Sequence, residues 1–455
     1  MPAEFFVHNL GCKVNRVESD ALSAFFLSAG ASRVLRDEAQ VVVINTCAVT
    51  ATAEAKTRKA IRQALASSRK PWVIATGCAV ALDRKAYQVL GTRVIAEPDR
   101  NRAQEVALDL LGLGNAESEG ASFVSPLRVG EGFNTRMGIK IQDGCDNVCS
   151  YCVVRIARGA ARSIPLVRIR EQVCDAKRAG VGEIVLTGVN VGCYDDEGIN
   201  LCQLLDLLLD VTATGADAAV LDATATDATA VDTTATRTAA LTTIVADGGL
   251  RFRLSSLEPQ HVTDELLALM ANSKGRICAH LHLPLQSGCD RTLAAMRRPY
   301  DTTFFAERVR CARDLMPHLA LTTDVIVGFP TESDEDFCES YDFCQRMNFS
   351  RMHVFRYSKR PGTPAAEIKA QVAPVTCAKR AATLRALGTR MRAGDIAARV
   401  GTSELILVER QGRGTSESYH QVELDTESKT GQLITMHFTG YRDTLMQGMV
   451  KGKAL

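Results

Sequence analysis

The sequence predicts an α/β chain in three parts: an N-terminal parallel α/β domain over 1–125, a central full or partial barrel of βα units over 131–376, and a basic helix followed by a small all-β module over 377–455. Three observations predict this. Short β-branched or aromatic runs alternate with helix-like stretches through the first third. The alternation resumes on a larger scale from about residue 138. Beyond residue 392, short runs of alternating character follow one another. Strand–helix alternation implies a parallel sheet, and repeated units of this length suggest a barrel.

In the first part, FFVHNL runs up to Cys12, VVVIN ends just before Cys47, and WVIATG ends just before Cys78. Helix-like segments such as AEAKTRKAIRQALA follow these runs. Sites in such sheets form at the carboxyl ends of the strands, so cysteines far apart in sequence can meet there. In the central part the expected strands are MGIKIQ, EIVLTGV, FRLSSL, AHLHLPL and TTDVIVGF, with DTTFFAERVRCARDLM as one of the helices between them. Polar residues sit at or near the ends of these strands: Asn190, Ser255, Glu258, Gln286 and Asp324. Residues 211–247 break the pattern with a near repeat of five residues rich in Ala, Thr and Asp. Five fits neither the helical nor the strand period, so this is read as a low-complexity insertion. Residues 377–392 read as a basic helix, and ELILVER, YHQVELD and LITMHFT read as the strands of the final module.

Apolar content of 46% and a net charge of +2 describe an ordinary globular chain, not a general polyanion binder; any nucleic-acid surface must be a local patch. No basic segment leads into a long apolar run at the start, so no signal peptide is expected. No stretch of about 18 uncharged apolar residues occurs, so no membrane span is expected and the chain is expected to be cytoplasmic. In that compartment, fifteen cysteines point to metal or redox chemistry, not to a disulfide framework.

The densest cysteine motif is DGCDNVCSYC, with Cys145, Cys149 and Cys152 in a C-x3-C-x2-C spacing. A structural zinc site closes with four ligands in paired spacings, and this loop has no nearby partner pair. A ferredoxin cube also takes four cysteines. Three thiolates on one loop can hold three irons of a 4Fe–4S cube and leave the fourth open for a substrate or cofactor. DGCDN is too polar for three buried thiols acting as core fillers.

This motif, with Tyr151 before its last cysteine, resembles the signature of radical S-adenosylmethionine (SAM) enzymes. The resemblance implies that the open iron chelates SAM and that one electron cleaves it to a 5′-deoxyadenosyl radical. Cys12, Cys47 and Cys78 form a second set of three. Their stretches, LGCKVNRVESD, VINTCAVTATAEAKTRKAIR and TGCAV, resemble the methylthiotransferases of that superfamily, as do RGAARSIP, RLSSLEP, HLHLPLQSG, DVIVGFPTE and FRYSKRPGTPAA. The resemblance covers nearly the whole chain apart from the repeat insertion. It implies a radical-SAM partial TIM barrel, a TRAM-like C-terminal module, SAM, and two 4Fe–4S clusters, the second of which carries the sulfur to be inserted. One departure is local: Thr331 in GFPTE stands where relatives commonly have glycine.

LGCKVN with the later ESD is similar to the branch of the family that acts on N6-threonylcarbamoyladenosine at tRNA position 37. The implied partners are a tRNA anticodon loop, an electron donor such as flavodoxin or ferredoxin, and a sulfur donor the sequence does not identify. Two alternatives remain open at this point: methylthiolation of a ribosomal-protein aspartate, and a non-catalytic iron–sulfur RNA-binding protein. The phosphate-contact candidates are Lys56, Arg58, Lys59, Arg62, Arg69 and Lys70 on one helix and Lys379, Arg380, Arg385, Arg390 and Arg392 on another. Residues 395–455 hold seven Lys/Arg against eight Asp/Glu, so RNA binding there would depend on a local surface. Beyond the cluster loop, the SAM-contact candidates are Tyr151, Gly188, Asn190, Ser255, Glu258 and Gln286.

Overall fold

The computed structural model describes residues 3–114, 135–213, 249–424 and 428–450. The chain separates into two compact units, and the first is discontinuous in sequence. It comprises 1–127, 143–162 and 358–368; the second comprises 128–142, 163–357 and 369–455. The insertion read over 211–247 lies outside the described residues except for 211–213, which end the helix Leu201–Ala213.

The first unit is built on a parallel sheet whose strand order is Ser32–Arg33, Glu4–Asn9, Val41–Thr46, Trp72–Gly77 and Val94–Ala96. Val41–Thr46 lies at its centre and is buried along its whole length. Its β-branched residues alternate faces, as strand geometry requires. Val42 and Ile44 pack with Ile61 and Ala64 of helix Ala51–Leu65. Val41 and Val43 pack with Leu22 and Phe26 of helix Lys13–Ser28 and with Ala107 and Leu108 of helix Arg100–Leu111. Thr50 starts helix Ala51–Leu65 by accepting from the Ala53 N–H at 3.1 Å, and left-handed Gly112 ends helix Arg100–Leu111.

The second unit carries six parallel strands in chain order: Arg136–Lys140, Glu183–Thr187, Arg251–Leu254, His280–His282, Ala320–Val327 and Arg351–Arg356. They pair as two sheets of three, and the parallel bridges Phe252–Ile277 and Ser256–His282 join the sheets into a partial barrel. The expected strand AHLHLPL stops at His282, because Pro284 cannot donate to the ladder. The strand Arg351–Arg356 was not among those expected: Arg351, His353 and Arg356 break its apolar pattern, and four of its six residues are exposed.

The C-terminal strands Ser403–Arg410, Arg413–Ser416, Gln421–Glu423, Leu433–Arg442 and Leu445–Val450 close into a small barrel. Ile406, Val408, Val422, Met436, Phe438 and Met446 fill it, together with Ile396 from the helix Pro374–Ala398.

Three fully buried charges tie this small barrel to the floor of the larger one. Glu183 accepts from Arg251 Nε at 2.7 Å and from Arg253 Nε at 2.8 Å. The remaining guanidinium donors reach backbone carbonyls of the small barrel: Arg251 those of Leu405 and Thr415, Arg253 those of Ser416 and Glu417. Arg253 also stacks on Tyr419 at 4.8 Å. The two guanidiniums hold the Glu183 carboxyl well below the usual carboxylate range despite its burial.

Thr331, the departure noted in the sequence, has φ of 73°, a left-handed conformation that a β-branched residue adopts only at a cost. Its backbone is held there, since its N–H donates to Ala370 O and its carbonyl accepts from Arg291 Nη2, both at 2.9 Å. Thr331→Gly is expected to stabilise the fold by about 1 kcal/mol, relief of left-handed strain outweighing the added freedom of the unfolded chain. A urea midpoint that rises at unchanged slope would show this; an unchanged or lower midpoint would mean that the strain relieved does not exceed the added freedom of the unfolded chain.

Candidate metal centres

The three widely separated cysteines meet at one edge of the first unit. Cys12 caps the helix that follows strand Glu4–Asn9, Cys47 follows Val41–Thr46 directly, and Cys78 opens the helix after Trp72–Gly77. Those strands are neighbours in a parallel sheet, so their carboxyl ends lie side by side. The Cys47 thiol is pushed up by burial and, less strongly, by the nearby Cys12 and Cys78. Burial also pushes Cys78 up, while Arg158 pulls it down.

Asn15 holds the loops together beneath the cysteines. Its Nδ2 donates to Asn45 Oδ1 at 3.1 Å and to Thr46 O at 2.8 Å, and Asn45 Nδ2 returns a bond to Asn15 O at 3.0 Å. The glycines beside the cysteines make room for this pair. A Cβ on Gly11 would stand 2.4 Å from Asn15 Cγ, and one on Gly77, at φ of 95°, would stand 2.5 Å from Asn45 Oδ1.

The second set, Cys145, Cys149 and Cys152, belongs to the same compact unit. The loop folds back on itself, with Cys145 N–H donating to Gly159 O and Cys152 N–H to Cys149 O, each at 3.2 Å. Gly144 has φ of 69°, and a Cβ there would meet Ala160 O at 1.9 Å, so the loop begins on a residue that only glycine fits. Val154 N–H points at Cys152 Sγ at 3.4 Å. Cys149 is buried, whereas Cys145 and Cys152 are half-buried.

One side chain reaches from this loop to the other set. Arg158 ends the short helix after Cys152 and is 4% exposed. Its Nε donates to Cys78 Sγ at 3.2 Å, and its Nη atoms reach Glu18 Oε1, Asp143 Oδ1 and Asn15 Oδ1, each at 2.9 Å. Sequence reading quoted the stretches that hold Arg158, Asn15 and Glu18 but gave these residues no role.

Two observations test whether iron–sulfur groups fit. The donor sets are thiols: none of the fifteen cysteines forms a disulfide. Asn147, between Cys145 and Cys149, buries its Nδ2 with no hydrogen-bond partner among the described residues, which suits a donor facing an inorganic sulfide. Among the described residues no three of His, Cys, Asp or Glu crowd together as ligands of a single ion do. A four-iron cube asks for something else, each thiolate on its own iron.

The SAM candidates divide. In the second unit, Gly188 N–H donates to Ser255 Oγ at 3.4 Å, and Asn190 N–H donates to Gln142 Oε1 at 2.9 Å. Gln142 also lies against Gly188, where a Cβ would be 3.0 Å away, so it joins these positions although sequence reading passed over it. Asn190 Oδ1 is buried with no partner among the described residues, which suits a ligand that donates a hydrogen bond. Glu258 is engaged by Arg298. Gln286 is held by the strand beside it, its N–H donating to Asp324 O at 2.9 Å and its carbonyl accepting from Ile326 at 2.8 Å. Tyr151 lies half-buried in the cluster loop of the first unit.

Two family models match the chain. The family described as "Radical SAM superfamily" matches residues 139–344, and "Uncharacterized protein family UPF0004" matches residues 4–94. A protein of Bacillus subtilis (strain 168) named "Threonylcarbamoyladenosine tRNA methylthiotransferase MtaB" is 35% identical over 376 residues, covering 80% of this chain and 76% of the relative. The chain belongs to the MtaB-type methylthiotransferases. Another relative of this methylthiotransferase, from Rhodococcus jostii (strain RHA1), is named "tRNA-2-methylthio-N(6)-dimethylallyladenosine synthase"; it is 32% identical and covers 95% of this chain and 82% of its own. Among solved structures, the radical S-adenosylmethionine methyltransferase TsrM of Kitasatospora setae matches with a TM-score of 0.52 at 13% identity, over 80% of this chain and 77% of that one, which bears on the fold alone. Membership of the radical SAM superfamily brings an iron–sulfur cluster and SAM to the methylthiotransferase. Among the described residues, no helix is long and apolar enough to cross a membrane.

Proposed function

We propose that this methylthiotransferase converts N6-threonylcarbamoyladenosine at tRNA position 37 to its 2-methylthio derivative, with two 4Fe–4S clusters. Cys145, Cys149 and Cys152 would hold the SAM-binding cluster, and Cys12, Cys47 and Cys78 a second one. The substrate part of this reading rests on the relatives named MtaB; the two-cluster part is supported by both cysteine sets belonging to one compact unit and being linked by the Arg158 side chain. When bound, the clusters and SAM supply the electron, the hydrogen abstraction and the sulfur transfer. The protein's own residues hold and orient. Gly144 and the Asp143–Arg158 pair set the shape of the first loop; Asn15 and Asn45 set the second site. Gly188, Asn190 and Ser255, at strand ends, would be the residues that contact SAM.

Phosphate binding is proposed for one face of helix Ala51–Leu65, where Lys56, Lys59 and Arg62 are exposed. The other basic helix contributes less. Arg380 is buried and donates at 2.7 Å to both Glu332 and Asp334, Arg385 donates to Val354 O, and Arg390 donates to Tyr341. The electron donor would be of the flavodoxin or ferredoxin class.

Nucleoside mass spectrometry of tRNA from cells with and without the gene tests the substrate. Loss of 2-methylthio-N6-threonylcarbamoyladenosine with build-up of its precursor is expected. Loss of a methylthiolated dimethylallyladenosine instead would reassign the base, and an unchanged profile in cells without a second such enzyme would remove tRNA as the substrate.

A further inference from the structure

The two-cluster reading gives six of the cysteines a role, but does not say why a buried arginine touches one of them. Arg158 makes polar contacts with five residues of the first unit, counting Asp143, Glu18, Asn15 and Cys78 through its side chain and Arg162 through its carbonyl. One of these contacts has a plain structural purpose. Asp143 and Arg158 bracket the C-x3-C-x2-C loop, and their ion pair closes its base. Contact with the Cys78 sulfur, 80 positions away in sequence, is not needed for that.

A guanidinium stays charged whatever its surroundings. Hydrogen bonds to ligand sulfurs and the net charge around a cluster set its reduction potential, and burial strengthens both effects. The charge here is balanced by two buried carboxylates: Glu18, which also pairs with Arg100 at 2.9 Å, and Asp143, which also pairs with Arg162 at 2.9 Å. We propose that Arg158 is a positioning residue for the second cysteine set, fixing the Cys78 sulfur and raising the reduction potential of the cluster held there, with Glu18 as the opposing charge. This rests on the two-cluster reading above.

The test uses the full chain with Cys145, Cys149 and Cys152 all changed to alanine, so that the remaining iron belongs to the second set. Iron and acid-labile sulfide are measured first. A chain that is folded by circular dichroism yet holds no iron would refute the two-cluster reading itself, before any Arg158 variant is made. With the cluster present, its potential is read by redox titration followed by electron paramagnetic resonance. Arg158→Gln is expected to shift the potential negative, Arg158→Lys less so, and Glu18→Gln in the positive direction. Opposite signs at the two positions are what a merely structural role would not produce. If Arg158→Gln instead loses its iron while staying folded, Arg158→Lys is expected to restore it; failure to do so would overturn the charge-based account. Equal potentials in all variants, or shifts of the same sign, would overturn it as well.

Discussion

Glu183→Ala is expected to destabilise the second unit by about 3–5 kcal/mol, because it leaves two buried guanidiniums facing each other without their shared carboxylate. Against a typical stability of about 5–15 kcal/mol, that is a large fraction of the whole. Glu183 is fully buried and accepts from both Arg251 and Arg253, so water cannot take over its role without opening the floor of the barrel. The arginines also donate to carbonyls of the C-terminal barrel, so the lesion should loosen both parts at once. Urea unfolding of the variant and its parent would measure the loss. A change below about 1 kcal/mol would mean that the arginines are hydrated when the carboxylate is removed.

Single cysteine replacements should separate the two proposed clusters. Cys149→Ala is expected to lower the release of 5′-deoxyadenosine from SAM by more than about 100-fold, beyond the 10–100-fold typical of lesions one shell out from a metal. Cys47→Ala is expected to leave that cleavage in place while abolishing methylthio insertion, because Cys47 belongs to the other set. Each variant should carry about half the parent's iron, since each loses one of two clusters. Normal 5′-deoxyadenosine release from Cys149→Ala would sink the assignment of that loop. Full methylthiolation by Cys47→Ala would sink the second cluster.

Much of this architecture was legible because its signals are short-range. Val41–Thr46 announces itself by four consecutive β-branched residues, and Cys145, Cys149 and Cys152 by spacing alone. The strand Arg351–Arg356 was missed because its charged, exposed residues carry no apolar alternation. Arg158 was missed for a different reason: its partners Glu18 and Asn15 lie 140 and 143 positions away, and nothing local marks a buried ion pair. The same limit applied to Arg380, which reads as a phosphate ligand in sequence and is spent on Glu332 and Asp334 in the fold. Thr331 was legible as a departure, but its physical meaning needed the backbone angle.

The discontinuity of the first unit has a consequence for how the enzyme matures. Its sheet comes from the first hundred or so residues, and N-terminal segments fold first during synthesis. Its cluster loop is made later, and the last segment only after most of the barrel strands have left the ribosome. That segment matters to the earlier ones: Ser358 Oγ accepts from Ala51 N–H at 3.1 Å, Arg360 pairs with Glu54, and Ala365 N–H donates to Ser150 O at 2.8 Å within the cluster loop. A nascent chain cut short before residue 358 therefore presents all six cysteines with their surroundings incomplete. Iron delivered at that stage would meet thiols whose loops are not yet held, so loading is expected to be a late, post-translational event that follows closure of the fold.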